Sequence, residues 1–173
     1  MDIVTSLFQI IVPGALVLVA IYTTVNAFLK KDFDKQLLEM RTRNSQTVMP
    51  IRLQAYERIA LLLERLAPHN LVRRANNPGF NVVQFQQVLL QEVREEYNHN
   101  LSQQIYISDE AWTLTKNAIE EITSLINTSA QRVNSDGPSI ELARAIFETL
   151  IERNEDPTER ALRVLKDELR IMF

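Results

Sequence analysis

The chain has 173 residues, enough for one ordinary domain and a short extra element, with a formal net charge of −3 and 46% hydrophobic residues. It has no cysteine, which excludes disulfides, thiolate catalysis and cysteine-ligated zinc or iron–sulfur centres. Three glycines and six prolines are few beside the many Leu, Glu, Arg, Gln and Ala residues, so the composition favours long helices over strands and tight turns.

Residues 3–29, "IVTSLFQIIVPGALVLVAIYTTVNAFL", carry no charge. A helix of that length rises about 40 Å, more than the hydrocarbon core of a bilayer. Residues 1–30 are therefore expected to form a transmembrane anchor rather than a buried core helix. A cleaved leader is the alternative, with "VNA" before Phe28 as its cleavage site. Against it, "MD" places an acid where a leader wants lysine or arginine, and the apolar run outlasts a leader's core. Lys30, Lys31, Lys35, Arg41 and Arg43 follow the span, and no basic residue precedes it. The positive-inside rule then puts the amino terminus outside and the rest in the cytoplasm, at the inner (cytoplasmic) membrane. The same five cations are candidate contacts for anionic lipid headgroups. Pro13 and Gly14 suggest a kink. Ser6, Pro13, Ala20 and Ala27 recur every seven residues, a narrow stripe suited to transmembrane packing; association into a homo-oligomer stays open beside a lipid-facing monomer.

Residues 31–49 read as a juxtamembrane stalk or solvated connector, with Phe33, Leu37, Met40 and Asn44 at 3-and-4 spacing. Pro50 suits the first turn of a helix whose inner face is Tyr56, Ile59, Ala60, Leu63, Leu66 and Ala67, and Pro68 is expected to stop it. Glu57, Arg58, Glu64 and Arg65 share its outer face, as a solvated rim or a recognition surface. After the loop "RRANNPGF", Asn81 and Gln84 form a capping box for a long helix facing inward with Val82, Phe85, Val88, Leu89, Val93, Tyr97, Leu101 and Ile105. Ser108, with Asp109 and Glu110, caps the next, which carries Trp112, Ala118, Ile119, Ile122, Leu125, Ile126 and Val133.

"NSDGPS" is a turn, and Ser139 is expected to cap a helix with Ile140, Ala143, Ile146, Phe147, Leu150 and Ile151 inward. Asp156, Pro157 and Glu159 signal a final helix, faced by Ala161, Leu162, Leu165, Leu169 and Met172. "IYI" at residues 105–107 is too short to seed a sheet. The expected fold class is all-α: an N-terminal transmembrane helix, then a cytoplasmic bundle of about five amphipathic helices in residues 50–173. The last two, in residues 139–173, either pack on the others or form a separate hairpin.

Chemistry concentrates in "REEYNHNLSQQIYISDEAW". Glu92, Glu95, Glu96 and His99 fall at 3- and 4-residue spacing, and Glu96 with His99 has the Glu-x-x-His form of di-iron bundles. Such a centre needs a second copy, but the other histidine, His69, lies past a helix-ending proline. These four are metal candidates only, and general acid–base work by them would need a cleft. The prevailing reading is a corner between helices, with Asn98, Asn100, Gln103 and Gln104 bonding to backbone. There is no phosphate loop and no Gly-x-Ser-x-Gly elbow, so no catalytic residue and no cofactor is expected. Residues 30–74 hold ten basic and five acidic side chains and residues 75–173 nine and sixteen. That asymmetry, with no aromatic residues interleaved among the arginines, points to anionic lipid rather than nucleic acid.

At "RLQAYERIALLLERLAPHNLVRR" and "EYNHNLSQQIYISDEAW" the chain resembles a family of small single-span bacterial membrane proteins known only as a domain of unknown function. The likeness runs from the apolar amino terminus to the Trp112 helix. It implies an N-terminal anchor and a helical cytoplasmic region, and no activity or functional residues. The expected function is a membrane-anchored interaction or scaffold protein, not an enzyme, whose partners are the lipid bilayer and another protein. The alternatives are a membrane-bound enzyme or metal protein using Glu92, Glu95, Glu96 and His99, or a sensor of anionic lipid.

Overall fold

A computed structural model describes the backbone of residues 2–153 and 156–172 and the side chains of residues 14, 16–36, 38–40, 48–153 and 156–172. Its elements in chain order are α1 (Asp2–Leu66), α2 (Pro68–Ala75), α3 (Val82–Asn100), a 3₁₀ segment (Leu101–Ile105), α4 (Asp109–Ala130), α5 (Ser139–Arg153) and α6 (Glu159–Met172). Among the described residues there is no strand, only an isolated antiparallel bridge between Asn81 and Pro138. The fold is all-helical. Two compact units divide the chain, residues Met1–Met49 and Pro50–Phe173.

The first unit is wholly part of α1. Among the described residues no helix is long and apolar enough to cross a membrane. Of the expected span, residues 3–13 and 15 lie outside the described side chains, and Ser6 and Pro13 with them. Pro50, expected in a helix's first turn, stands instead inside α1. An interior proline forfeits one hydrogen bond and crowds the preceding turn.

The second unit closes around one core. Tyr56, Ile59, Leu62, Leu63 and Leu66 enter it from α1, Leu71 and Val72 from α2, and Phe85, Leu89 and Val93 from α3. Trp112, Ile122, Leu125 and Ile126 come from α4, Leu142 and Ile146 from α5, and Leu162 and Leu165 from α6. α5 and α6 thus share the core of the other helices. The Trp112 ring stacks on Tyr97 at a centroid distance of 5.9 Å. Every buried side-chain nitrogen or oxygen among the described residues has a hydrogen-bond partner.

Local signals set the starts of α3 and α4. Asn81 Oδ1 accepts from the Gln84 amide at 2.8 Å while Gln84 Oε1 accepts from the Asn81 amide at 3.1 Å. Ser108 Oγ accepts from the Ala111 amide at 3.0 Å. The "NSDGPS" turn closes by Gly137 N–H donating to Asn134 O at 2.9 Å. A Cβ at Gly137 would sit 3.0 Å from Asn134 O and 2.5 Å from Glu141 Oε2, so a side chain there meets backbone.

Elsewhere the tertiary structure departs from the expected pattern. Pro68 does stop α1, but it also opens α2, which takes in residues 73–75 of the expected loop. Asn70 Nδ2 donates to Glu64 O at 2.8 Å and Arg74 Nη1 to Arg65 O at 3.0 Å, so α2 supplies donors to the orphan carbonyls of α1. After Asn100 the chain winds at three residues per turn, which rotates Leu101 and Ile105 off the core stripe; Ile107 is buried instead.

Ser139, expected as a cap, is the first residue of α5, and its hydroxyl donates to Asn77 O at 3.1 Å, which ties α5 to the α2–α3 loop. Ile140, Phe147 and Ile151, expected inward, are exposed, because Leu142, Ala143, Ala145 and Ile146 fill the space beside α3 and α4. Asp156 Oδ1 accepts from both the Thr158 amide (2.8 Å) and the Thr158 hydroxyl (2.7 Å), a side-chain turn that delays α6 to Glu159.

One carboxylate joins three helices. Glu168 on α6 accepts from the Tyr56 hydroxyl of α1 at 2.6 Å and from the Ser108 hydroxyl at the start of α4 at 2.5 Å. Burial, then the bond to Glu168, raises the Tyr56 phenol above its ordinary pKa, with Arg52 opposing. The stability contributed by the neutral phenol is therefore whole below about pH 10 and is lost as the pH climbs through the raised value. Tyr56→Phe is expected to flatten this alkaline fall in urea titrations run between pH 9 and 11. Glu168→Ala, which orphans the buried Tyr56 hydroxyl, is expected to cost about 1–3 kcal/mol at neutral pH in the same assay.

Candidate functional site

In the second unit α1 and α3 run side by side and leave an open groove of about 670 Å³ between their outer faces. Gln54, Glu57, Arg58, Leu61 and Arg65 line it from α1, and Glu92, Glu95, Glu96, His99 and Asn100 from α3. Helical spacing explains both walls: positions 54, 57, 58, 61 and 65 share one face, as do 92, 95, 96 and 99. The structure thus brings all four metal candidates to one place, opposite two arginines.

The carboxylates are already engaged. Arg65 Nε meets Glu96 Oε2 at 2.9 Å, with the Glu96 side chain 15% exposed, and Asn100 Nδ2 donates to Glu96 Oε1 at 3.3 Å. Arg74 reaches over from α2 and donates to Glu92 Oε2 through Nη2 at 3.0 Å and Nε at 3.3 Å. Gln91 Nε2 donates to Glu95 Oε1 at 2.7 Å. Among the described residues no group of three or more His, Cys, Asp or Glu side chains is placed to hold a metal ion. Asn100, expected to bond backbone at the corner, does so, donating to Glu96 O at 3.0 Å.

Glu57, Arg58 and Arg65, read from sequence as rim or recognition surface, form one wall of the groove. Arg74, counted in the sequence only among the basic residues of 30–74, is the residue whose role was missed; no periodicity signals it, because its partners lie on two other helices. Glu64 and His69 fall in a second depression of about 470 Å³ with Asp156, Arg163 and Lys166. Of the lipid candidates Lys30, Lys31 and Lys35 are exposed on α1, Lys35 standing 3.9 Å from Glu39, and the side chains of Arg41 and Arg43 lie outside the described residues. Of the packing stripe Ala20 and Ala27 are exposed, and Ala20 lies in a shallow apolar depression with Val17, Ile21, Thr24 and Val25.

The two arginines carry unequal weight. Arg65→Ala strips a largely covered carboxylate of its charged partner and is expected to destabilise the second unit by about 1–3 kcal/mol. The Arg74–Glu92 pair is one-third exposed on both sides, so Glu92→Gln is expected to cost under about 1 kcal/mol. Chemical denaturation of the two variants of the full chain checks the order.

No curated protein and no solved structure is significantly similar to the chain. A family model does match, over residues 2–172, nearly the whole sequence and both units described above. The chain belongs to the family of unknown function DUF7935.

Proposed function

We propose that the protein is a single-span, membrane-anchored interaction protein: residues 1–30 lie in the inner membrane of a bacterium and the helices of residues 50–173 bind a protein partner in the cytoplasm. One observation carries this reading. Leu16, Val17, Leu18 and Val19 are 66, 57, 69 and 60% exposed. Four consecutive helical residues point to every side of the axis, so this segment displays apolar side chains all round. A helix apolar all round needs an apolar surround, and lipid supplies one.

The polar groups of the segment support it. Thr24 Oγ1 donates to Ala20 O at 2.7 Å and Thr23 Oγ1 to Val19 O at 3.0 Å, so both hydroxyls are satisfied without water. Lys30, Lys31 and Lys35 follow directly, as a cytoplasmic end requires. The resemblance to small single-span bacterial proteins agrees. The groove between α1 and α3, polar and lined by engaged ion pairs, suits recognition of a polar partner better than chemistry.

Expressed in a bacterium, the full chain is expected to sediment with membranes and to resist salt and carbonate washes. Leu18→Arg with Ile21→Arg, each arginine costing about 2.5–3.5 kcal/mol at mid-span, is expected to release it. Release of the wild-type chain by salt alone overturns the anchor. Because the chain has no cysteine, Asn117→Cys gives one labelling site. A membrane-impermeant maleimide is expected to reach it only after spheroplasts are lysed, and labelling of intact spheroplasts overturns the orientation.

A further inference from the structure

The outward face of α5 is apolar and uncovered. Ile140, Phe147 and Ile151 are 55, 36 and 77% exposed. At 100° per residue they fall within about 40° of arc, with Arg144 at one margin and Glu148 beyond it on the same flank. Arg144 and Glu148 are both exposed, and neither forms an ion pair among the described residues. We propose that this face is the contact between two copies of the chain, α5 packing antiparallel on its own copy across a two-fold axis level with residue 146.

The pattern is self-complementary in that arrangement alone. A two-fold axis perpendicular to antiparallel helices keeps the same flank of each together, so Arg144 meets the partner's Glu148 and Glu148 the partner's Arg144. Phe147 lies about 1.5 Å from the level of the axis, against its copy, and Ile140 comes within about 2 Å of the level of the partner's Ile151. A parallel pair turns Arg144 toward the opposite flank, that of Ala143 and Leu150, and joins no opposite charges. An anionic lipid surface is a poorer occupant, because Glu148 and Glu152 stand along the same side. Three apolar side chains per copy make a contact smaller than the roughly 1,200–2,000 Å² of a stable interface. The inference rests on the anchored reading for the effective concentration that confinement to a membrane supplies.

The test uses the full chain in membranes, labelled at Lys116→Cys, with energy transfer between copies read against surface density. Arg144→Glu alone and Glu148→Arg alone each set like charges together twice across the axis, and are expected to weaken association on the order of tenfold. The double variant R144E/E148R restores opposite charges and is expected to return association to within about threefold of wild type. Ile151→Asp is expected to abolish it. Single reversals without effect, a double variant without rescue, or a wild type monomeric at every density overturns the proposal. Phe147→Cys in otherwise unaltered chain is expected to form a disulfide with its own copy; capture of a different protein, or no crosslink, also overturns it. Sedimentation of each variant separates loss of anchoring from loss of pairing. If anchoring fails, the same order of variants is expected of the full chain in detergent at higher concentration, and its absence there sinks the pairing independently.

Discussion

The carboxylate of Glu168 is the point on which the second unit turns. Two hydroxyls from different helices, Tyr56 on α1 and Ser108 at the start of α4, each need an acceptor once the core closes over them, and one side chain on α6 serves both. Ser108 also accepts from the Ala111 amide, so the cap that starts α4 and the bond that docks α6 are the same group. A short terminal helix with a modest apolar face is thereby held in one register. Without that acceptor the packing of Tyr56 would bury an unsatisfied hydroxyl, which a core of mostly aliphatic side chains cannot offset locally.

A similar economy governs the opposite side of the bundle. Arg74 donates at once to Arg65 O and to Glu92, joining the end of α1 to the middle of α3 through α2. Arg65 pairs with Glu96, and Gln91, one turn back on α3 itself, donates to Glu95. The groove that results is polar, and two of its carboxylates, Glu92 and Glu96, are paired with arginines. The two units also differ in how they treat apolar side chains: the second turns them inward around one core, whereas α1 in residues 16–29 displays them on all sides.

Much of the site was legible as spacing. Glu92, Glu95, Glu96 and His99 share a helix face by arithmetic, and that wall could be written down from the sequence; of Glu57, Arg58, Glu64 and Arg65, read as one face, Glu64 falls in the other depression. That the walls face one another could not be written down, since it depends on the relative rotation of α1 and α3 about their axes. The Glu-x-x-His spacing suggests coordination only while its carboxylates are imagined free, and their partners Arg65 and Arg74 lie 31 and 18 residues away from Glu96 and Glu92. Glu168 offered no signal at all, because an isolated glutamate near a chain end on an amphipathic helix reads as a solvated charge.

By itself the sequence determined what depends on neighbours within about four residues: the all-helical class, the caps at Asn81 and Ser108, the turn at Gly137, and the uncharged run before Lys30. These follow from backbone hydrogen bonds and side-chain periodicity, which act over one helical turn. The tertiary structure alone decided how far each apolar face was used. α5 has more apolar positions than α3 and α4 can cover, so Leu142 and Ile146 went inside while Ile140, Phe147 and Ile151 stayed out. It also decided that Pro68 begins a helix as well as ending one, because the carbonyls left open at the end of α1 found donors in Asn70 and Arg74. Competition for a finite interior, and for partners brought close by folding, is settled between elements and leaves no trace in the spacing within any one of them.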